Sequence, residues 1–186
     1  MDTTSTKPLT YAYLLALPED GKRRELIDGE LYVTPSATPL HQLVLGNLYL
    51  DLRGFVDARD LGKVYFAPVD IVLSDVNVVE PDLLFVARAR LAIVDERCLC
   101  AAPDLAVEVL SPSTRRIDLG RKRELYATFG VAEYWIVDPR LEWVEVCRNG
   151  DGAVREVTRL VRERGDGPLT SPLFPGFSLQ LDRLFR

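Results

Sequence analysis

Histidine occurs once in these 186 residues, at position 41, and lysine four times beside nineteen arginines. A single imidazole does not build a zinc centre, which takes histidine and cysteine in combination. The three cysteines, Cys98, Cys100 and Cys147, are odd in number and form no CxxC pair, so neither a disulfide framework nor a thiolate metal site is expected. No run of 18 apolar residues exists, which leaves nothing to span a bilayer as a helix. The opening MDTTSTKPLT lacks the apolar core of a secretory signal, and a cytoplasmic location is the expectation. Asn (three) and Gln (two) are scarce, and few thermolabile amides point toward a thermophile. Basic charge is also in deficit. A net charge of −5 excludes a general nucleic-acid coat protein but leaves room for a local basic groove.

An apolar fraction of 47% and a charged fraction of 27% suit one soluble globular domain with a sizeable core. We expect a single domain over residues 1–186, with 1–8 as a flexible tail. Its organising stretch runs from Pro103 to Pro139 and reads as strand, basic loop, helix, strand. LAVEVL (105–110) is apolar on both faces, as a strand buried on both sides should be, and only Glu108 interrupts it. A carboxylate there is costly unless a positive group answers it. Counting back from Gly130 as a helix end, at about 100° per residue, places Lys122 within the stripe of Leu119, Leu125, Tyr126 and Phe129. Arg121, Arg123 and Glu124 point away. The apolar stripe predicts that methionine would be accommodated at position 122. YWIVD (134–138) returns as a buried strand.

The rest follows in order. Thr10 can cap a short helix, Tyr11 to Leu17, stopped by Pro18. RRELIDGELYV reads as a hairpin turning on Asp28-Gly29. Thr38-Pro39 opens a helix to about Ala58 with the stripe Leu40, Val44, Leu48, Leu52 and Phe55. His41 shares that face: a buried, satisfied core histidine on one reading, a group near a substrate phosphate or catalytic carboxylate on the other. Lys63–Ala67 and Val69–Leu73 are strands separated by Pro68, and Val78–Val86 is a further strand in which Asp82 is embedded. Ala87–Ala102 is a helix or long connection. EWVEVCR and AVREVTRLV flank the turn Asn149 to Gly152 as a second hairpin.

Two carboxylates on neighbouring strands, Asp82 and Glu108, with no sulfur or imidazole cluster, make a hard oxygen site that prefers Mg²⁺ or Mn²⁺. Lys122 could position a water there or stabilise charge developing on phosphorus. The alternative is a buried ion pair holding helix to sheet. Five of the nine residues from Arg115 to Arg123 are basic, which suits phosphate contacts as well as a solvated face.

EPD at 80–82, VEVLSPST at 107–114 and K-x3-Y-x3-GV-x-EYWIVDP from Lys122 to Pro139 resemble the Uma-two family of restriction-endonuclease-like proteins. RELIDGELYV-x2-SA-x3-H (Arg24 to His41) and SPLFPGF (171–177) are similar to its flanking patterns, so the resemblance covers nearly the whole chain. It implies an α/β fold like the PD-(D/E)XK nucleases: a mixed sheet flanked by helices, here with added N-terminal and C-terminal hairpins. It implies Asp82 and Glu108 as metal ligands, the Val109 carbonyl as a further candidate ligand, and Lys122 as the third catalytic residue. The superfold's lysine two residues after the second acid is absent, since Leu110 stands there. Glu25 and His41 match recurrent positions and are candidates for the rim of the site. The implied activity is Mg²⁺-dependent hydrolysis of DNA, with Mn²⁺ as a substitute and Arg115, Arg116, Arg121 and Arg123 contacting backbone phosphates. Cutting both strands takes two sites, so a homodimer or higher homo-oligomer is expected. Two rival readings are a nuclease-like module that binds nucleic acid or a protein without cutting, and a hydrolase of small phosphorylated molecules.

Overall fold

The alternation of apolar side chains is resolved into two mixed sheets in the computed structural model, which describes residues 7–18 and 20–186. The chain order is α1 (Tyr11–Leu15), β1 (Arg23–Ile27), β2 (Glu30–Thr34), α2 (Pro39–Ala58), β3 (Gly62–Phe66), β4 (Asp70–Ser74), β5 (Asn77–Val79), β6 (Leu83–Ala87), β7 (Cys98–Leu99), β8 (Leu105–Val109), α3 (Arg115–Leu119), α4 (Arg121–Thr128), β9 (Glu133–Asp138), β10 (Trp143–Gly150), β11 (Ala153–Val161) and α5 (Leu181–Leu184). The larger sheet has the order β11-β10-β9-β8-β6-β3, with β8 and β9 parallel and its other pairs antiparallel. The smaller has the order β2-β1-β5-β4-β7. The expected mixed α/β architecture is therefore present. The N-terminal hairpin is part of the second sheet, and the C-terminal hairpin extends the first.

The β1–β2 hairpin turns where Asp28 (φ 53°) and Gly29 (φ 74°) both take left-handed backbone, the pattern of a type I′ turn. Of the tail expected over 1–8, residues 1–6 lie outside the described ones. Pro8 packs against Gly29, and the Leu9 N–H donates to the Gly29 carbonyl at 3.0 Å. In α2, Thr38 accepts the His41 N–H at 3.3 Å, as its capping position predicts. Val44, Leu48 and Leu52 are buried, but Leu40 is 41% exposed, and the buried side chain of the first turn is His41.

Two departures from the expected elements shape the site. The run Val78–Val86 is not one strand: β5 and β6 belong to different sheets, and the chain crosses between them at Glu80–Asp82. The helix before Gly130 is also broken. Gly120 (φ −117°, ψ −94°) ends α3 and opens α4 with a direction that a continuous helix does not allow.

Alternation then fixes the two faces of the larger sheet. Leu83, Phe85, Leu105, Val107 and Trp135 pack with Val44, Leu48 and Phe174 on one side. Leu84, Ala106, Tyr134 and Ile136 pack with Leu125, Tyr126, Ile27 and Val79 on the other. Glu108 shares the parity of Ala106 and projects to the side of α4 and the second sheet, while Asp82 lies in the crossover just before β6, within reach of α2.

Candidate active site

Register places the two acids side by side. β6 pairs with β8 through Leu83↔Val107, so one step toward the start of β6 sets Asp82 beside Glu108. Asp82 Oδ2 accepts the Val109 N–H at 2.8 Å and lies 3.1 Å from His41 Nε2. The acceptor is a carboxylate, so Nε2 carries the proton that it receives. On the opposite wall, Arg23, Glu25 and Ile27 alternate along β1. Ile27 enters the apolar cluster, and the other two point to the acids. Arg23 Nη1 donates to Asp82 Oδ1 at 2.7 Å, and Nη2 lies 3.9 Å from Glu108 Oε2 and bonds the Glu80 carbonyl.

Lys122 completes the cluster from α4. Its Nζ is 2.7 Å from Glu25 Oε1, 2.7 Å from Glu108 Oε1 and 3.7 Å from Asp118 Oδ1. Tyr126, one turn on, donates to Glu108 Oε1 at 3.4 Å. The helical stripe thus presents the lysine to the sheet despite the break at Gly120. The ammonium answers three carboxylates at once, so methionine here would leave those charges unanswered however well its side chain fits the stripe. A cavity of about 140 Å³, with room for several waters, is lined by Glu25, Thr34, Ser113, Thr114, Asp118 and Lys122.

Among the described residues, five buried carboxylates (Glu25, Glu80, Asp82, Glu108 and Asp118) face two cations, Arg23 and Lys122. The imbalance sets the protonation. Burial opposes the Asp82 carboxylate, but the His41 hydrogen bond, the Arg23 charge and the Val109 N–H outweigh it and hold its pKa down to about 2. Glu108 moves the other way: burial, then Asp118, Asp82 and Glu25, push it well above the ordinary value in spite of Lys122. Burial disfavours the Lys122 ammonium, yet Glu108, Glu25 and Asp118 together raise its pKa, so it stays charged.

Burial also pushes Glu80 up to about 7 from an ordinary 4.5. A carboxyl that keeps its proton when folded but loses it when unfolded weakens the fold as pH rises between those two values. We predict that Glu80→Gln leaves stability unchanged at pH 4, where both forms are neutral, and raises it by up to about 3 kcal/mol at pH 8. Urea unfolding from pH 4 to 8 measures this. A difference that does not vary with pH would mean that burial leaves the Glu80 carboxyl at its ordinary value.

Asp82, Glu108, Lys122, Glu25 and His41, all named from sequence, lie in this one cluster. Arg23, Glu80 and Asp118 were not anticipated as members. The arginine cluster is differently placed from its expected role. Arg115 pairs with Asp138 at 2.5 Å, Arg121 with Glu30 at 2.5 Å and Asp28 at 2.9 Å, and Arg123 with Glu145. Carboxylates from distant strands have taken these three charges. Arg116 alone of the four is exposed and makes no ion pair among the described residues.

Among the described residues no three His, Cys, Asp or Glu side chains converge as a ready-made ligand set. The donor chemistry nevertheless fits a hard divalent ion. Asp82 and Glu108 offer adjacent carboxylate oxygens in a cluster short of positive charge, and the buried Glu80 Oε2 has no hydrogen-bond partner among the described residues.

No helix among the described residues is long and apolar enough to cross a membrane. A family model described as "Uma2: Putative restriction endonuclease" matches residues 11–182. A crystal structure described as "a putative nuclease belonging to DUF820" from Anabaena variabilis ATCC 29413 superposes with a TM-score of 0.80 at 19% identity, covering 96% of this chain and 98% of that one. At that identity the match speaks for the fold. No curated protein matches the chain.

Proposed function

Because the chain belongs to the Uma2 family of restriction-endonuclease-like proteins, we propose that it is a metal-dependent endonuclease that hydrolyses phosphodiester bonds in DNA. The observation that carries the proposal is the junction of Asp82 and Glu108 on paired strands with Lys122, in a cluster with too little positive charge of its own. Asp82 and Glu108 would hold Mg²⁺ or Mn²⁺, with the Val109 carbonyl as a further ligand. The bound ion supplies Lewis acidity and a water of lowered pKa.

The remaining work belongs to the chain. His41 and the Val109 N–H tie one oxygen of Asp82 and so orient the other. Glu25 and Glu108 grip the Lys122 ammonium, keeping a fixed positive charge where a phosphoryl group gains negative charge during attack. Glu25 acts by positioning. Arg116, exposed and unpaired, is the member of the basic run free to meet a backbone phosphate, a contact that positions DNA without reading its sequence. Attack by water with departure of the 3′ oxygen leaves a 5′-phosphate.

The test is incubation of supercoiled plasmid with the protein in Mg²⁺, Mn²⁺ or EDTA, followed by end-group analysis. Nicked or linear DNA with 5′-phosphate ends, formed only with metal, is the expected result. Intact plasmid together with metal-independent DNA binding would favour the second reading, a nuclease-like module that holds nucleic acid without cutting. Two features favour that reading: Leu110 stands where the superfold has its lysine, and Arg23 bridges the two acids.

A further inference from the structure

The four oxygens of Asp82 and Glu108 are not equivalent. Asp82 Oδ2 is tied by the Val109 N–H and His41, and Glu108 Oε1 by Lys122 and Tyr126. The other two, Asp82 Oδ1 and Glu108 Oε2, both face one guanidinium, that of Arg23, at 2.7 and 3.9 Å. Those are the oxygens that a cation shared by the two acids would have to use. The guanidinium also fits its place incompletely. Arg23 Nε and Glu80 Oε2 face each other at 3.7 Å, and both are buried atoms without a hydrogen-bond partner. Arg23 has a way out: its side chain is 21% exposed, against 4% for Asp82 and 3% for Glu108. It stands on the first residue of β1.

We propose that Arg23 is the resident counter-ion of the Asp82–Glu108 pair, standing in the cation position, and that a divalent ion enters by displacing its guanidinium. This rests on the reading of Asp82 and Glu108 as metal carboxylates. Arg23 keeps the two acids together in the metal-free protein, where their mutual repulsion would otherwise open the junction of the two sheets. The same contact competes with metal, so apparent metal affinity in this protein is the intrinsic affinity reduced by the strength of the arginine bridge. A displaced guanidinium at the rim becomes available to an anion.

Calorimetric titration with Mn²⁺ of the wild type, Arg23→Met and Arg23→Lys tests this. Arg23→Met is expected to bind about tenfold more tightly or better. Arg23→Lys, which keeps one charge but cannot bridge, should fall between. If the wild type binds Mn²⁺ and neither variant binds it more tightly, the inference is overturned while the metal reading stands. If no form binds, both fall. Because Arg23→Met removes a counter-ion of buried acids, a second measurement independent of its folding uses the wild type alone. The Arg23 Nε–H resonance, identified by its absence from the Arg23→Lys spectrum, should move on addition of Mg²⁺. A resonance that stays fixed while Mn²⁺ binding is measurable would show that Arg23 is never displaced.

Discussion

Lys122→Met should cost about 3–5 kcal/mol of stability and bring DNA cleavage to background. The side chain is 2% exposed and its ammonium sits 2.7 Å from both Glu25 and Glu108. Removing it leaves those two acids, and Asp118 beside them, buried with Arg23 as the remaining cation, 3.9 Å from Glu108 Oε2. Single domains have only about 5–15 kcal/mol in total, so the variant should unfold at clearly lower urea. The loss arises from uncompensated carboxylates rather than from a poor fit of methionine, and a second substitution separates the two causes. Glu108→Gln in the Lys122→Met background removes one stranded charge and should recover part of the stability, without recovering cleavage. A double variant no more stable than the single one would mean that packing, not charge, set the cost. A Lys122→Met protein that cleaves at the wild-type rate would remove the lysine from the mechanism.

Asp82→Asn is expected to abolish Mn²⁺ binding in calorimetry and to lower cleavage by about a thousandfold or more, equivalent to about 4 kcal/mol of transition-state stabilisation. Three donors converge on this carboxylate: Arg23, the Val109 N–H and His41. An amide has one oxygen to offer them and must turn its own N–H groups toward at least one donor. A stability loss of about 1–3 kcal/mol accompanies the change, small enough for binding to be measured on folded protein. Wild-type Mn²⁺ affinity in the variant would exclude Asp82 from the metal shell and leave it as the anchor of Arg23.

The site residues legible in the sequence are those that break an apolar pattern. Glu108 interrupts LAVEVL, Asp82 interrupts a β-branched run, Lys122 sits in a helical stripe, and His41 lies on the buried face of α2. Each is expensive where it stands, and the expense is visible without coordinates. Arg23 was hidden in the run Lys22-Arg23-Arg24, which reads as solvated charge. Its signal was the alternation Arg23, Glu25, Ile27, in which one apolar member declares the face buried. Glu80 was missed because Val78–Val86 reads as one strand, and the change of sheet at Glu80–Asp82 depends on tertiary packing. The arginines after Ser113 misled for the same reason: Asp138 and Glu145 approach them from strands that a local count of charge does not reach. The fold was legible as helix and strand, but not the division into two sheets, because short strands carry no mark of the sheet they join.

The division of Val78–Val86 between two sheets also bears on when the centre can exist. Its groups come from Arg23, Glu25, His41, Glu80, Asp82, Glu108, Asp118 and Lys122, and the last of these is held in place by α4. A chain still on the ribosome with 108 to 121 residues released has Glu25, Glu80, Asp82 and Glu108 but, of the two cations that join them, only Arg23. Glu25 and Glu108 lack the Lys122 counter-charge until α4 has emerged. Nascent and prematurely terminated chains therefore carry the acids without the assembled centre.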